Sequence, residues 1–60
     1  MHQYAVHTQD PNFIDVARWI DKNKIRYEQH LNRTRFWVPI GILLTEFIIR
    51  WGDTCYLIKD

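Results

Sequence analysis

The stretch "FWVPIGILLTEFIIRWGD", residues 36–53, decides how this chain folds. It admits three readings: a membrane segment, a buried strand or a helix. A spanning helix needs about 20 consecutive apolar residues, and here Thr45, Glu46 and Arg50 interrupt the run. The strand reading draws on Gly52-Asp53, which suits a two-residue hairpin turn and would set Ile49 opposite Tyr56. Against it, Ile42, Leu43 and Leu44 break alternation, and a strand apolar on both faces needs cover on both. The helix reading gathers Ile40, Leu43, Leu44, Phe47, Ile48 and Trp51 into one stripe. It pairs Glu46 with Arg50 at i, i+4 in the favourable order. It also puts Pro39 in the first turn and Gly52 just past the end, and leaves Ile42 and Ile49 exposed. The balance predicts a helix over 40–51.

The flanking sequence supplies the other elements. "HQYAVHT" reads as a first strand over 2–8. Asp10 is a suitable N-cap and Pro11 suits the first helical position. From there Phe13, Val16, Ala17 and Ile20 recur at helical spacing, with Asp15, Arg18 and Lys22 on the other side, which predicts a one-face-buried helix ending near Asn23. Beyond it, Ile25, Tyr27 and Gln29 alternate with Arg26, Glu28 and His30 in a half-buried strand. "LNRT" reads as a turn. "RFWV" reads as a strand with Phe36 and Val38 inside and Arg35 and Trp37 outside. "TCYLIKD" reads as the last strand. The order strand, helix, strand, strand, helix, strand predicts an α+β fold, a two-layer split βαβ plait of ferredoxin-like type. A weak internal echo agrees: with Pro11 laid on Pro39, "RWI" at 18–20 falls on "EFI" at 46–48. If residues 42–50 are extended, the alternative is βαβββ, one helix on an antiparallel sheet.

Sixty residues make one domain, 1–60. A domain this small buries only about 60% of its unfolded-chain surface, so it depends on large rings or on self-association. The sequence has three each of Trp, Tyr and Phe. Cys55 is the single cysteine, which excludes an internal disulfide and points to a reducing, cytoplasmic setting. The N-terminus lacks the basic-then-apolar pattern of a signal peptide, so the "NRT" acceptor match at 32–34 is read as chance.

The residues offer little for catalysis. Serine is absent, Cys55 reads as a small buried hydrophobe, and the carboxylates look capped, solvated or paired. The histidines lack metal-ligand spacing; His2 and His7 would face opposite sides of a strand. No enzyme, metal or cofactor is expected. The charge pattern is more informative. Lys22, Lys24, Arg26, Arg33 and Arg35 stand against Glu28 alone over 22–35, although the whole chain is only +1. In the plait, Arg26, His30, Arg33, Arg35, Trp37 and Tyr56 form the binding surface, on the sheet face away from the helices and the adjoining hairpin. Trp, Tyr and Arg are the types that anchor protein interfaces, and Ile58 would add to them. The expected function is a small stoichiometric protein-binding module: an inhibitor, adaptor or antitoxin-like factor in the style of phage or mobile-element accessory proteins. A homodimer fits the same surface. The alternative is a single-stranded nucleic-acid-binding domain using the basic hairpin. No membrane association is expected.

Overall fold

Residues 42–51 are helical. A computed structural model describing residues 2–59 gives six elements: β1 (His2–His7), α1 (Phe13–Lys22), β2 (Tyr27–His30), β3 (Arg33–Val38), α2 (Ile42–Trp51) and β4 (Tyr56–Lys59). The fold is α+β: two helices on one four-stranded antiparallel sheet ordered β2-β3-β1-β4. The one-helix βαβββ alternative is therefore overturned by α2. The physical reason is the stripe itself. Leu43, Leu44 and Trp51 pack beside fully buried Phe47, an arrangement that an extended chain would split between two faces. Among the described residues no helix is long and apolar enough to cross a membrane.

Both helices begin later than the sequence predicts. Asp10 shapes the preceding turn rather than capping: Asn12 N–H donates to its carboxylate at 2.8 Å and Phe13 N–H to its carbonyl at 2.9 Å. Pro11 stays outside, and α1 starts after Asn12. Pro39 and Ile40 likewise precede α2, whose first residue follows Gly41 at φ 131°. Side chains are strained there, so glycine sets the turn into the helix. Ile40, outside the helix, is consequently exposed, and Ile48 is half exposed rather than part of the buried stripe.

The end of α1 is a Schellman turn. Lys24 N–H donates to the Asp21 carbonyl at 3.2 Å and Ile25 N–H to the Ile20 carbonyl at 3.0 Å, while Lys24 takes the left-handed conformation at φ 54°. Ile20 and Ile25, the pair this motif brings together, are both core residues. The strands are mostly shorter than predicted. Ile25 precedes β2, Cys55 precedes β4, and only Leu31 and Asn32 turn the β2–β3 hairpin, because His30 pairs with Arg33 and Gln29 with Thr34. The Thr8 amide, just past β1, bonds the Asn32 carbonyl.

Between sheet and helices lies a core of Val6, Val16, Trp19, Ile20, Ile25, Phe36, Val38, Phe47 and Cys55. Phe36 and Val38 point inward as the alternation predicts. Thr34, also inward, donates its hydroxyl to Gln29 Oε1 at 2.7 Å. Phe47 is the hub of the rings: Tyr4 at 4.6 Å, Phe36 at 5.4 Å, Trp19 at 5.6 Å and Trp51 at 6.4 Å between centroids. Trp19 was not in the predicted stripe of α1. Its indole N–H donates to Glu46 Oε1 at 2.8 Å and ties α1 to α2. Glu46 thus serves the other helix rather than Arg50, whose guanidinium lies 5.6 Å from the Trp51 ring.

Lys24 holds a conformation that costs an L side chain free energy and glycine almost none. Lys24→Gly is therefore expected to stabilise the domain by about 1 kcal/mol, a rise in Tm of about 4–8 °C for a chain of this size. Thermal unfolding checks it, and a fall in Tm would contradict the helix end described here.

Candidate functional site

The sheet has one face under the helices and one face open. Strand register carries the residues of the open face into rows. Trp37 N–H bonds the Arg26 carbonyl and Trp37 stands opposite Gln3. In the next row Glu28, Arg35, Ala5 and Tyr56 lie side by side across all four strands. In the third, His30, Arg33 and His7 follow one another. The predicted residues Arg26, Arg33, Arg35, Trp37 and Tyr56 are thus brought together, with His30 at the β2 edge. Gln3, Ala5 and His7 of the inner strand β1 complete the face. Sequence reasoning missed them, although the alternation of "HQYAVH" carried the signal: if Tyr4 and Val6 face inward, Gln3, Ala5 and His7 face out. Ile58 does not follow the same logic. A register shift beside Gln3 and Tyr4 breaks the alternation that would have set it with Tyr56.

The side chains on this face are in contact with one another. The Arg26 guanidinium lies 4.7 Å from the Trp37 ring centroid, a cation–π contact. Arg33 Nη1 donates to the Tyr56 hydroxyl at 3.4 Å, and the His7 ring stands 5.6 Å from that of Tyr56. Glu28 sits opposite Arg35 in the register but makes its contact along its own strand, 3.5 Å from His30 Nε2. Among the described residues no carboxylate pairs with Arg26, Arg33 or Arg35. Arg35, on inner strand β3 beside fully buried Ala5, has its Nε–H buried with no hydrogen-bond partner. An unsatisfied buried donor costs about 1–3 kcal/mol.

A second surface lies on the opposite side of the molecule. Ile42, Thr45 and Ile49 follow one another at i, i+3, i+7 along the outer side of α2, with Ile40 just before it. Ile40 is 74% exposed, Ile42 89% and Ile49 78%. They line a shallow depression together with Leu44, Glu46 and Arg50.

Cys55 is buried before β4, and burial, with a smaller contribution from the charge of Asp10, pushes its thiol up to about 12. It is protonated at neutral pH and poorly nucleophilic. Among the described residues no group of three or more His, Cys, Asp or Glu side chains is placed to hold a metal ion. His2 and His7 fall on opposite faces of β1, beside Tyr4 and Tyr56 respectively. Comparison with protein-family models, curated proteins and solved structures found no match.

Two expectations follow from these environments. The folded Cys55 thiol keeps its proton above the ordinary value of 9.0 and up to about 12, so through that window the folded state binds more protons than the unfolded one. Stability contributed by this group is complete below pH 9 and falls as pH rises. Denaturant unfolding across the window should show a shallower decline in Cys55→Ala than in the parent chain; equal slopes would contradict the burial of the thiol. Arg35→Leu removes an unsatisfied buried donor and keeps an aliphatic stem, so it should stabilise the free domain by about 1 kcal/mol. A destabilised variant would mean that the guanidinium is fully satisfied.

Proposed function

We propose that this domain is a stoichiometric protein-binding module whose docking surface is the outer side of α2. The observation that carries the reading is the exposure of Ile40, Ile42 and Ile49 in one stripe on a domain of sixty residues. Contiguous apolar surface on so small a fold is covered by another molecule, and Ile42 and Ile49, two turns apart on one side of α2, are placed as the anchors of a helix seated against a partner are. The charged groups beside the stripe are one glutamate and one arginine, Glu46 and Arg50. That is not the row of lysines and arginines that holds an interfacial helix on anionic lipid. The α2 surface serves this role better than the open sheet face, whose one prominent apolar ring, Trp37, is half buried and stacked by Arg26. Inhibitor, adaptor and antitoxin-like action all fit a module of this kind.

The architecture we infer is the split βαβ plait. The sheet order supports it: β3 lies between β1 and β2, and β1 between β3 and β4. Each helix therefore connects two strands that straddle a third.

Because Ile42 and Ile49 contribute little to the core, Ile42→Asp/Ile49→Asp should keep the circular dichroism and Tm of the parent. It should lose the protein that co-purifies with the tagged parent from its native cells, or the dimer seen by sedimentation if that protein is a second copy. A parent that is monomeric and retains no protein, or a folded double variant that keeps its partner, would refute the reading.

A further inference from the structure

The open sheet face is chemically unlike the α2 surface and faces the other way. We propose that it is a second binding site and that its ligand is a single-stranded nucleic acid, with Arg33 and Arg35 on phosphates and Trp37 and Tyr56 stacking on bases.

Four observations support this. The first is charge. Arg26, Arg33 and Arg35 share the face with Glu28, and Glu28 is engaged by His30 at the β2 edge. The face is therefore positive although the chain is nearly neutral, so the positive charge is concentrated on one surface. The second is period. Arg33, Arg35 and Trp37 recur every second residue along β3, which spaces them by about 6.6–6.8 Å. Tyr56 lies in the Arg35 row, two strands away beyond Ala5, so cations and flat rings share a patch with spacings of about 7–10 Å, a scale on which one extended strand can meet both. A sheet of this kind tracks a backbone and offers stacking platforms without reading a groove.

The third observation is the state of the rings in the free protein. The Trp37 ring already has a planar cation near it, Arg26 at 4.7 Å, and Arg26 is exposed. It can swing to a phosphate while a base takes its place on the ring. Tyr56 is oriented by Arg33 and flanked by His7. The fourth is Arg35, whose Nε–H lacks an acceptor in the free domain. A phosphate that draws the guanidinium off the sheet supplies the acceptor the fold does not. An acidic protein partner would also bring oxyanions. It would want an apolar centre too, and the centre of this face is Ala5, fully buried.

The test is fluorescence anisotropy of the full chain with a labelled oligothymidylate, the matching duplex, and a labelled poly-glutamate peptide of similar charge. We expect the single strand to bind more tightly than the duplex or the peptide. The logarithm of its affinity should fall with the logarithm of salt with a slope of about −1.4 to −2.1, two to three phosphates at about −0.7 each. Trp37→Ala should weaken binding roughly 5- to 150-fold, the loss of one stacked base. Arg35→Gln should lower the affinity and reduce the slope by about 0.7. Should Trp37→Ala fail to fold, Arg33→Gln/Arg35→Gln, which leaves the core on the other side of the sheet untouched, carries the same test through the slope. The Ile42→Asp/Ile49→Asp variant should bind the oligonucleotide as the parent does, which separates this site from the α2 surface. No binding at low salt, binding of the peptide as tight as that of the single strand, or an affinity indifferent to Arg33 and Arg35 would each overturn the proposal.

Discussion

Phe47 is the residue on which the rest depends. Its ring, fully buried, is met by Tyr4 from β1, Phe36 from β3, Trp19 from α1 and Trp51 from its own helix. Four of the six elements converge on one side chain. A small domain cannot spread its stability over many such centres: at roughly 0.05–0.15 kcal/mol per residue, a chain of this size has a few kcal/mol in total. Truncating a large buried aromatic costs about 3–5 kcal/mol, so the ring cluster and the folded state stand or fall together. The Trp19–Glu46 hydrogen bond adds direction to this cluster. It fixes how α2 is rotated against α1, and hence which residues of α2 are left outside.

That rotation explains the two surfaces. A two-layer fold exposes one sheet face and the outer sides of its helices whatever its sequence. Composition decides what each exposure means. With Phe47 turned to the core, the far side of α2 is Ile42, Thr45 and Ile49; with Phe36 and Val38 turned inward, the far side of β3 is Arg33, Arg35 and Trp37. One constraint therefore presents an apolar stripe on one side of the molecule and a basic, aromatic sheet on the other. Neither surface can be covered by extending the other, so the two sites proposed above take different occupants.

The sequence made the element order legible because both helices carry apolar residues at helical spacing and the strands alternate. It also set Phe36 and Val38 on the face opposite Trp37, since a strand alternates with a period of two, and the match of Phe36 with Tyr27, which the register bears out, chose the inner face. It failed where local chemistry competed with itself. Asp10-Pro11 looks like a helix start, but Asp10 uses its carboxylate on the Asn12 amide and delays the helix. Pro39 looks like another, but Gly41 can take a conformation other residues avoid and moves the start past it. Glu46 with Arg50 looks like an i, i+4 pair, a weak interaction worth a few tenths of a kcal/mol; a part-buried indole donor on α1 outcompetes it. Trp19 was overlooked for a related reason. Its role depends on a partner from a distant segment, and periodicity within one helix carries no trace of that.

Arg35 is where local and global preferences disagree. Its position on an inner strand, beside Ala5 and across from Glu28, would suit an apolar side chain or a paired one. It has neither: Glu28 turns along its own strand to His30, and the Arg35 Nε–H is buried without an acceptor. Lys24 also holds an unfavourable state, but at an exposed helix end, where long side chains reach solvent and the strain is purely conformational. The two cases differ in what would relieve them. Glycine relieves Lys24 within the chain itself. Arg35 is relieved by removing the guanidinium or by a hydrogen-bond acceptor from outside the chain. Sequences that otherwise agree with their fold depart from it mainly at functional sites, and this departure sits at the centre of the one face that is both basic and open. Under the proposed binding, the free energy withheld from folding at Arg35 is available to the complex, which is why losing the guanidinium is expected to strengthen the free domain in Arg35→Leu and to weaken the complex in Arg35→Gln.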